Sequence, residues 1–393
     1  MTKVMQIEFF NSPKPEEFDP SILPVEDPAF LSYVPDWGLI QTTAVKYEKY
    51  QNILIIGHGG NITSFYGFYS ALREQTNKHA YFLSTVDPDY IFSLKQQLLK
   101  ENTLVIAISK SGETVTQIEA LMQFIEYPLL FVCGKNTPLH AIAQKLKGEV
   151  VFHPSIGGRY TGLTEVALLP AAICGLGVQK IYEGAKNIFQ NYKSDNLAWK
   201  AASVLWQLEQ KGYVDVFIPI YSQYLFPMSA LIVQLCHESF GKAGLGQTYF
   251  AHPAPESQHH TNQRFFGGRK NIVGFFLSYD GPMHSIINTI PTELHSIQIK
   301  NQPLFTLNKI SLEDSLRFEM EGTIEDAKIN GIPLAHLSIV SRTPYAIGEF
   351  TAFWQLYAIY ASLLRGVNPF DQPEVEASKE ISFSKRLGQK GLL

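Results

Sequence analysis

Cysteine is scarce in this sequence. Only Cys133, Cys174 and Cys236 occur in 393 residues, and none pair as CxxC. Three thiols cannot build a disulfide framework, so a reducing compartment is expected. Long apolar runs are missing as well. No stretch reaches the ~18 residues that a spanning helix needs, so none is expected. The opening MTKVMQIEFFNSPKPEEFDP has no apolar h-region of the secretory kind. These absences point to a cytoplasmic protein without membrane contact. Charge is also low, at 17% of residues, against a usual ~25%. The balance is 32 Lys plus Arg against 36 Asp plus Glu, a net −4. Nothing in that balance attracts nucleic acid or anionic lipid, so an anionic ligand needs a local site. The 28 glycines and 22 prolines are near average usage and exclude collagen-like and low-complexity chains.

What is present is a large apolar fraction, 45%, enough for sizeable cores. The length suits two or three domains, or one large α/β unit. Residues 1–44 carry six prolines from Pro13 to Pro35, which predicts an irregular arm with short helices. The run 52-NILIIG-57 then reads as a short buried strand. Strands follow at 80-AYFLS-84, 103-TLVIAIS-109, 129-LLFVC-133 and 149-EVVFH-153. Helical patterns fall between them, near 64–75, 89–100, 114–126 and 137–147. This alternation predicts a parallel sheet covered on both faces. Residues 163–213 read as mostly helical, with a connector near 176–212. A second unit begins at 214-VDVFIPI-220 with a helix over about 226–240. Further strands are predicted at 271-NIVGFFL-277 and 334-LAHLSIV-340, and a long helix near 346–365 precedes a charged tail.

Several loops carry chemistry. In 108-ISKSGETVTQ-117 a buried strand runs into a helix start through Ser109, Ser111 and Thr114. Hydroxyls, a small Gly112 and the positive end of a helix suit a phosphate monoester. The same residues also suit a simple helix cap. The loop 56-IGHGGN-61 lets a ligand approach the backbone, or is merely a tight turn; it is not GxGxxG, so a dinucleotide is not expected. In 157-GGRYTG-162, glycines present Arg159, either to an oxyanion or to a surface salt bridge. In 234-QLCHESFGKAG-244, Glu238 ends an apolar helix with Gln234 one turn earlier. A carboxylate so placed suits a general base, or is an ordinary helix-terminal charge. In 252-HPAPESQHHTNQ-263 the histidines lack HExxH or i,i+4 spacing, so proton transfer is preferred over zinc. In 368-NPFDQPEVEASKEI-381, Lys379 opens a helix or is a solvated charge.

Taken together and in this order, ISKSGET, GGRYT, HESFGK, QHHTNQ and FDQPEVEASK resemble the phosphoglucose isomerase family. The resemblance runs from about residue 50 to 385. It implies an α/β chain of two sugar-isomerase (SIS) domains, each a three-layer αβα sandwich with a mainly parallel sheet. The implied division is an arm over 1–44, a phosphate-loop domain over 45–190, a second over 191–345 and a C-terminal helix and tail over 346–393. It further implies an aldose–ketose isomerase acting on glucose 6-phosphate and fructose 6-phosphate, with no metal or organic cofactor. By resemblance Glu238 is the base that moves a proton between C1 and C2, and Arg159 steadies the enediolate. His259 opens the ring, with His260 a second candidate, and Lys379 assists at the ring oxygen. Ser109, Lys110, Ser111 and Thr114 form the phosphate loop. Gly60, Asn61, Gly158, Gln234 and Gln372 contact substrate. A homodimer sharing its active sites is implied, with His259 lent to the neighbour.

Some residues depart from the family pattern. Asn61 stands where the family commonly has Ser, and Gly112-Glu113 replaces a bulkier pair. Asn61 can still donate to a sugar hydroxyl; Gly112-Glu113, with the short chain, is closer to the shorter SIS proteins, including the dual phosphoglucose/phosphomannose isomerases. A sugar-phosphate-binding regulator that kept the SIS loops is the other alternative. It has no need of Glu238, His259 and Lys379 together.

Overall fold

The computed structural model describes residues 5–281 and 284–388. The chain opens on β1 (Met5–Phe10) and reaches α1 (Trp37–Lys46) through short 3-10 turns. Asp36 caps α1 by accepting from the Leu39 N–H. The first unit then alternates β2 (Asn52–Ile56), α2 (Gly60–Ala71), β3 (His79–Leu83), α3 (Pro88–Gln97), β4 (Thr103–Ser109), α4 (Val115–Met122), β5 (Leu129–Cys133), α5 (Pro138–Lys145) and β6 (Glu149–Phe152). Its sheet is wholly parallel, in the order β3-β2-β4-β5-β6. Three helices follow, α6 (Glu165–Ile173), α7 (Val178–Phe189) and α8 (Leu197–Gln210).

The second unit runs β7 (Asp215–Ile220), α9 (Ser229–Phe240), β8 (Thr248–Pro253), α10 (Thr261–Gly267) and β9 (Ile272–Tyr279). A small hairpin of β10 (Gln298–Ile299) and β11 (Gln302–Pro303) leads to α11 (Leu312–Ile329) and β12 (Leu334–Ile339). The chain ends in α12 (Pro344–Leu364) and α13 (Glu376–Arg386). The second sheet has the order β1-β12-β9-β7-β8, parallel except for β1. The fold is α/β, two sandwiches with mainly parallel sheets and C-terminal helices.

The arm differs from its sequence reading. Its described part begins with a six-residue strand that pairs antiparallel with β12, from Met5 with Ile339 to Phe10 with Leu334. The alternation Met5, Ile7, Phe9 is a strand pattern. It is short, it sits beside six prolines, and its partner lies over 300 residues away, so no local signal marks it. Beyond β1 the arm is held by a buried carboxylate. Glu165, 4% exposed, accepts from the Tyr33 hydroxyl at 2.6 Å and the Asp36 N–H at 2.7 Å.

The sheets are covered on both faces, and the period-two alternation shows how. In β2 and β4, Ile53, Ile55, Leu104, Ile106 and Ile108 face the central core of the molecule. Leu54, Ile56, Val105 and Ala107 face the other way, onto Leu94, Leu121, Phe124 and Leu139 of the outer helices and loops. All of these strand residues are fully buried. That is why the strands read as continuous apolar runs. In the second sheet Val216, Ile218, Phe275 and Leu337 join the same central core, while Phe217, Phe276 and Leu334 pack under α10 and α11. Between the sandwiches lies α12, buried without a break from Ala346 to Ser362. A helix apolar all round must be enclosed. It meets α7 backbone to backbone: a Cβ on Gly348 would stand 1.8 Å from the Ile181 carbonyl oxygen.

Candidate active site

The carboxyl ends of β2, β4 and β6 meet at one edge of the first sheet, the usual ligand edge of parallel α/β units. Buried Gln117 of α4 ties two of them, its Nε2 donating to Ile56 O at 3.0 Å and Ile108 O at 2.8 Å. After β2 the chain turns through Gly59, at φ +53°, into the start of α2. Gly60 then touches the segment after β6: an added Cβ would lie 2.1 Å from the Gly158 carbonyl carbon. No side chain fits at Gly60, and Gly59 is set by its positive φ, whereas a Cβ at Gly157 or Gly158 would meet only ordinary contacts at 3.9 Å. Asn61 points to His153, its Oδ1 3.3 Å from Nε2.

After β4 the loop folds on its own hydroxyls. The Gly112 N–H donates to buried Ser109 Oγ at 3.0 Å, and the Glu113 N–H to Ser111 Oγ at 3.3 Å. Thr114 occupies the N-cap of α4, but its hydroxyl makes no capping bond. Lys110 is exposed. The two loops meet where Thr116 Oγ1 lies 3.3 Å from His58 Nε2.

Arg159 follows, in a 3-10 turn (Gly158–Leu163) that buries it to 2% exposure. Its five N–H groups are all engaged. Nε donates to Ser239 Oγ at 2.9 Å. Nη1 donates to Glu238 Oε2 at 3.1 Å and Gln372 Oε1 at 2.6 Å. Nη2 donates to the carbonyls of Pro369 at 2.5 Å and Asp371 at 3.0 Å. Glu238 itself is not sunk among the leucines of α9. Its side chain is 29% exposed, and its other oxygen accepts from Gln234 Nε2 at 3.0 Å. Gln234 Oε1 in turn accepts from Thr63 of α2 at 3.0 Å. The carboxylate thus stands at the seam between the two sandwiches, with a fixed cation on one oxygen and an amide on the other.

The structure therefore gathers Gly60, Asn61, Gly158, Arg159, Gln234, Glu238 and Gln372 into one cluster, with Ser109, Lys110, Ser111 and Thr114 in the loop beside it. Lys379 lies on α13, exposed and paired with Glu376 at 2.8 Å. The helix is tethered to α4 by the two-pronged contact of Arg386 with Glu119, both prongs 2.8 Å. His259 is exposed at the end of a 3-10 turn (Glu256–His259). Its side chain hydrogen-bonds none of the cluster among the described residues. Its neighbour Gln258 is anchored instead, to Glu319 O and Thr323 Oγ1 of α11. His260 bonds Thr261 and packs edge-on against His252, ring centres 4.9 Å apart. Among the described residues no three His, Cys, Asp or Glu side chains come together as a metal site.

Sequence reasoning missed three members of this edge. His58 is held below its usual pKa range by burial, with Lys379 adding to it. His153 is pushed down to about 4, by burial first and then by the charge of Lys110. Lys242, inside the quoted HESFGK, binds the segment that carries Gln372. His58 was readable inside the glycine turn. The other two act on loops that only tertiary folding brings close.

Known proteins identify the family. The phosphoglucose isomerase family model matches residues 40–269. A probable glucose-6-phosphate isomerase of Methanococcus maripaludis is 26% identical, over 88% of this chain and 81% of its own. A hypothetical protein of Thermus thermophilus superposes with a TM-score of 0.81 at 26% identity, covering 89% of this chain and 87% of its own. A glucose-6-phosphate isomerase of Chlamydia trachomatis superposes at 0.75 and 19% identity, over 95% and 80%, a likeness of fold. No helix among the described residues is long and apolar enough to cross a membrane.

Proposed function

The chain belongs to the phosphoglucose isomerase family, and from that premise we propose how it interconverts glucose 6-phosphate and fructose 6-phosphate. The observation that carries the reading is the carboxylate at the seam, Glu238, clamped between Gln234 and the buried guanidinium of Arg159. Glu238 takes the proton from C2 of the opened aldose and returns it to C1. One carboxylate suffices because both carbons lie on one face of a cis-enediol. The charge that develops on the enediolate oxygen is met by Arg159, a cation fixed before the substrate arrives. Its N–H groups are full, so the oxyanion replaces Glu238 on Nη1. That exchange frees a carboxylate oxygen for the proton.

Ring opening comes first and needs proton transfer at O5 and O1. Lys379, on the helix over the glycine turn, and His259 serve it. The exposure of His259, away from the cluster of its own chain, supports its donation to a second copy in a homodimer. Ser109, Lys110, Ser111 and Thr114 hold the phosphate, and Gly60, Asn61, Gly158 and Gln372 contact the sugar. Holding the remote phosphate keeps C1 and C2 in register with Glu238. No step calls for a metal or organic cofactor. Three buried, unpaired thiols support a reducing, cytoplasmic setting.

Glu238→Gln is the direct test. Turnover of fructose 6-phosphate should fall about 10²–10⁴-fold, the usual worth of a general base, while calorimetric binding of the sugar phosphate stays near the parent value. Turnover within a few-fold of the parent would remove Glu238 from the role. Mannose 6-phosphate assayed alongside decides between the narrow and the dual substrate range.

A further inference from the structure

Three of the five N–H groups of Arg159 end on one short segment. They reach Pro369 O, Asp371 O and Gln372 Oε1. This strap joins α12 to the 3-10 turn at Pro373–Val375 and belongs to neither. Phe370 lies 43% exposed, though its ring leans on Tyr160 at 5.5 Å. Pro369 is buried and its carbonyl also accepts from the Tyr160 hydroxyl at 3.3 Å, while Asn368, Phe370 and Asp371 are exposed.

A second cation reaches the exposed side of the strap. Lys242, just past the end of α9 and one turn beyond Glu238, sends its ammonium into the strap. Nζ donates to Asn368 O at 2.5 Å, Asp371 O at 2.6 Å and Asp371 Oδ1 at 2.6 Å. An ammonium has three N–H groups, and here each has its acceptor. The side chain is 9% exposed although it lies at the surface edge. Asn368 Nδ2 bonds the second oxygen of Asp371 at 3.1 Å and closes the turn. The Asp371 carboxyl is held below its usual range, chiefly by Lys242.

We propose that Lys242 is a positioning residue of the isomerase site: it fixes the 368–372 strap, and the strap fixes the plane of Arg159 against Glu238. The inference rests on the roles given above to Arg159 and Glu238. The three acceptors wrap around one nitrogen. A planar guanidinium fork spreads its donors differently, so arginine is a poor substitute. With the clamp gone the strap can shift, and Nη1 and Nη2 lose the acceptors that set their plane, while Nε keeps Ser239. Misplacement of about 1 Å at such a distance from the chemistry costs roughly 100-fold in rate.

The test compares Lys242→Met, which keeps the stem and removes the donors, with the parent. Expected are a kcat lowered about 10- to 100-fold, a Kd for glucitol 6-phosphate within about threefold, and an unchanged circular dichroism spectrum. Lys242→Arg should not rescue. In an Arg159→Lys background, Lys242→Met should cost less than about threefold more, because both act through one guanidinium. An unchanged kcat, or losses that simply multiply, overturns the proposal. If Lys242→Met does not fold, Asp371→Asn carries the test, its side chain being half exposed. It should lower kcat several-fold, and a parent-like kcat would count against the clamp. Glu238→Gln in the same assay separates the two readings. Normal turnover there removes the base, while a dead Glu238→Gln beside a normal Lys242→Met removes the clamp alone.

Discussion

At the residue scale, buried polar groups at the site are preorganised in pairs. Arg159 is buried yet fully partnered, so its charge is compensated before a ligand binds. His153 makes the complementary case. Its Nδ1 lies 2.7 Å from Pro154 O, a pure acceptor, so Nδ1 carries the proton in the neutral ring. Nε2 is then an acceptor facing Asn61. The Asn61 amide stands with Oδ1 3.3 Å from that nitrogen, acceptor to acceptor, so exchanging its O and N gives the ring an N–H donor. That choice matters for a residue proposed to contact the sugar, because it leaves the carbonyl oxygen for a hydroxyl donor. The imidazole has its pKa pushed from 6.5 to about 4. Between those values the unfolded chain binds a proton that the folded chain refuses. The native contribution is therefore complete above pH 6.5 and is lost as pH falls toward 4. The shift corresponds to about 3 kcal/mol. Urea titrations at pH 7 and pH 4.5 should show the parent losing more stability than His153→Gln. An equal loss in both would show that His153 does not set the acid limit.

At the scale of elements, α13 stands apart. It buries no residue, and the Arg386–Glu119 contact is what ties it to α4. An exposed pair of this kind is worth no more than ~1 kcal/mol and weakens with salt. Such a tether suits a helix that carries Lys379 over the glycine turn and must also let product leave. Glu119→Gln should leave the melting temperature within about 1–2 °C of the parent, as expected for a surface pair. It should raise KM several-fold and blunt the rise of KM with added NaCl seen in the parent. Parent-like KM and salt response would mean that the tether does not place Lys379. By contrast α12 is enclosed by α7, α8, α9 and α2, and its length was readable because it is apolar on every face. The strand β1 was not readable in that way. Its register is set by β12, at the other end of the chain.

At the scale of the whole molecule, the proposed site is divided twice. The carboxylate and its glutamine come from the second sandwich, and the glycine turn, hydroxyl loop and arginine from the first. His259, exposed and without a hydrogen bond to its own cluster, is the second division in the homodimer proposed above. Mixing inactive Glu238→Gln with inactive His259→Asn subunits, unfolded and refolded together, should regain roughly a quarter of the parent activity. Half the dimers are then mixed, and each has one intact site if residues cross a two-fold interface. No recovery would place His259 in the site of its own subunit, or outside the reaction.

The sequence by itself determined the family, the alternating elements of the first unit, and β7, α9, β9, β12 and α12 of the second; β8, α10 and α11 went unread. Apolar strand runs, turn residues and the motifs from ISKSGET to FDQPEVEASK lie in local stretches, and short-range periodicity reports them directly. It also grouped Gln234 with Glu238, because i,i+4 neighbours share a helix face. Tertiary structure alone decided the rest. It decided that Arg159 is buried with every donor used, that β1 closes the second sheet, and that Lys242 holds a strap over 120 residues away. The reason is physical. A hydrogen bond between distant segments depends on where two surfaces meet. Neither segment carries a pattern that reports its partner.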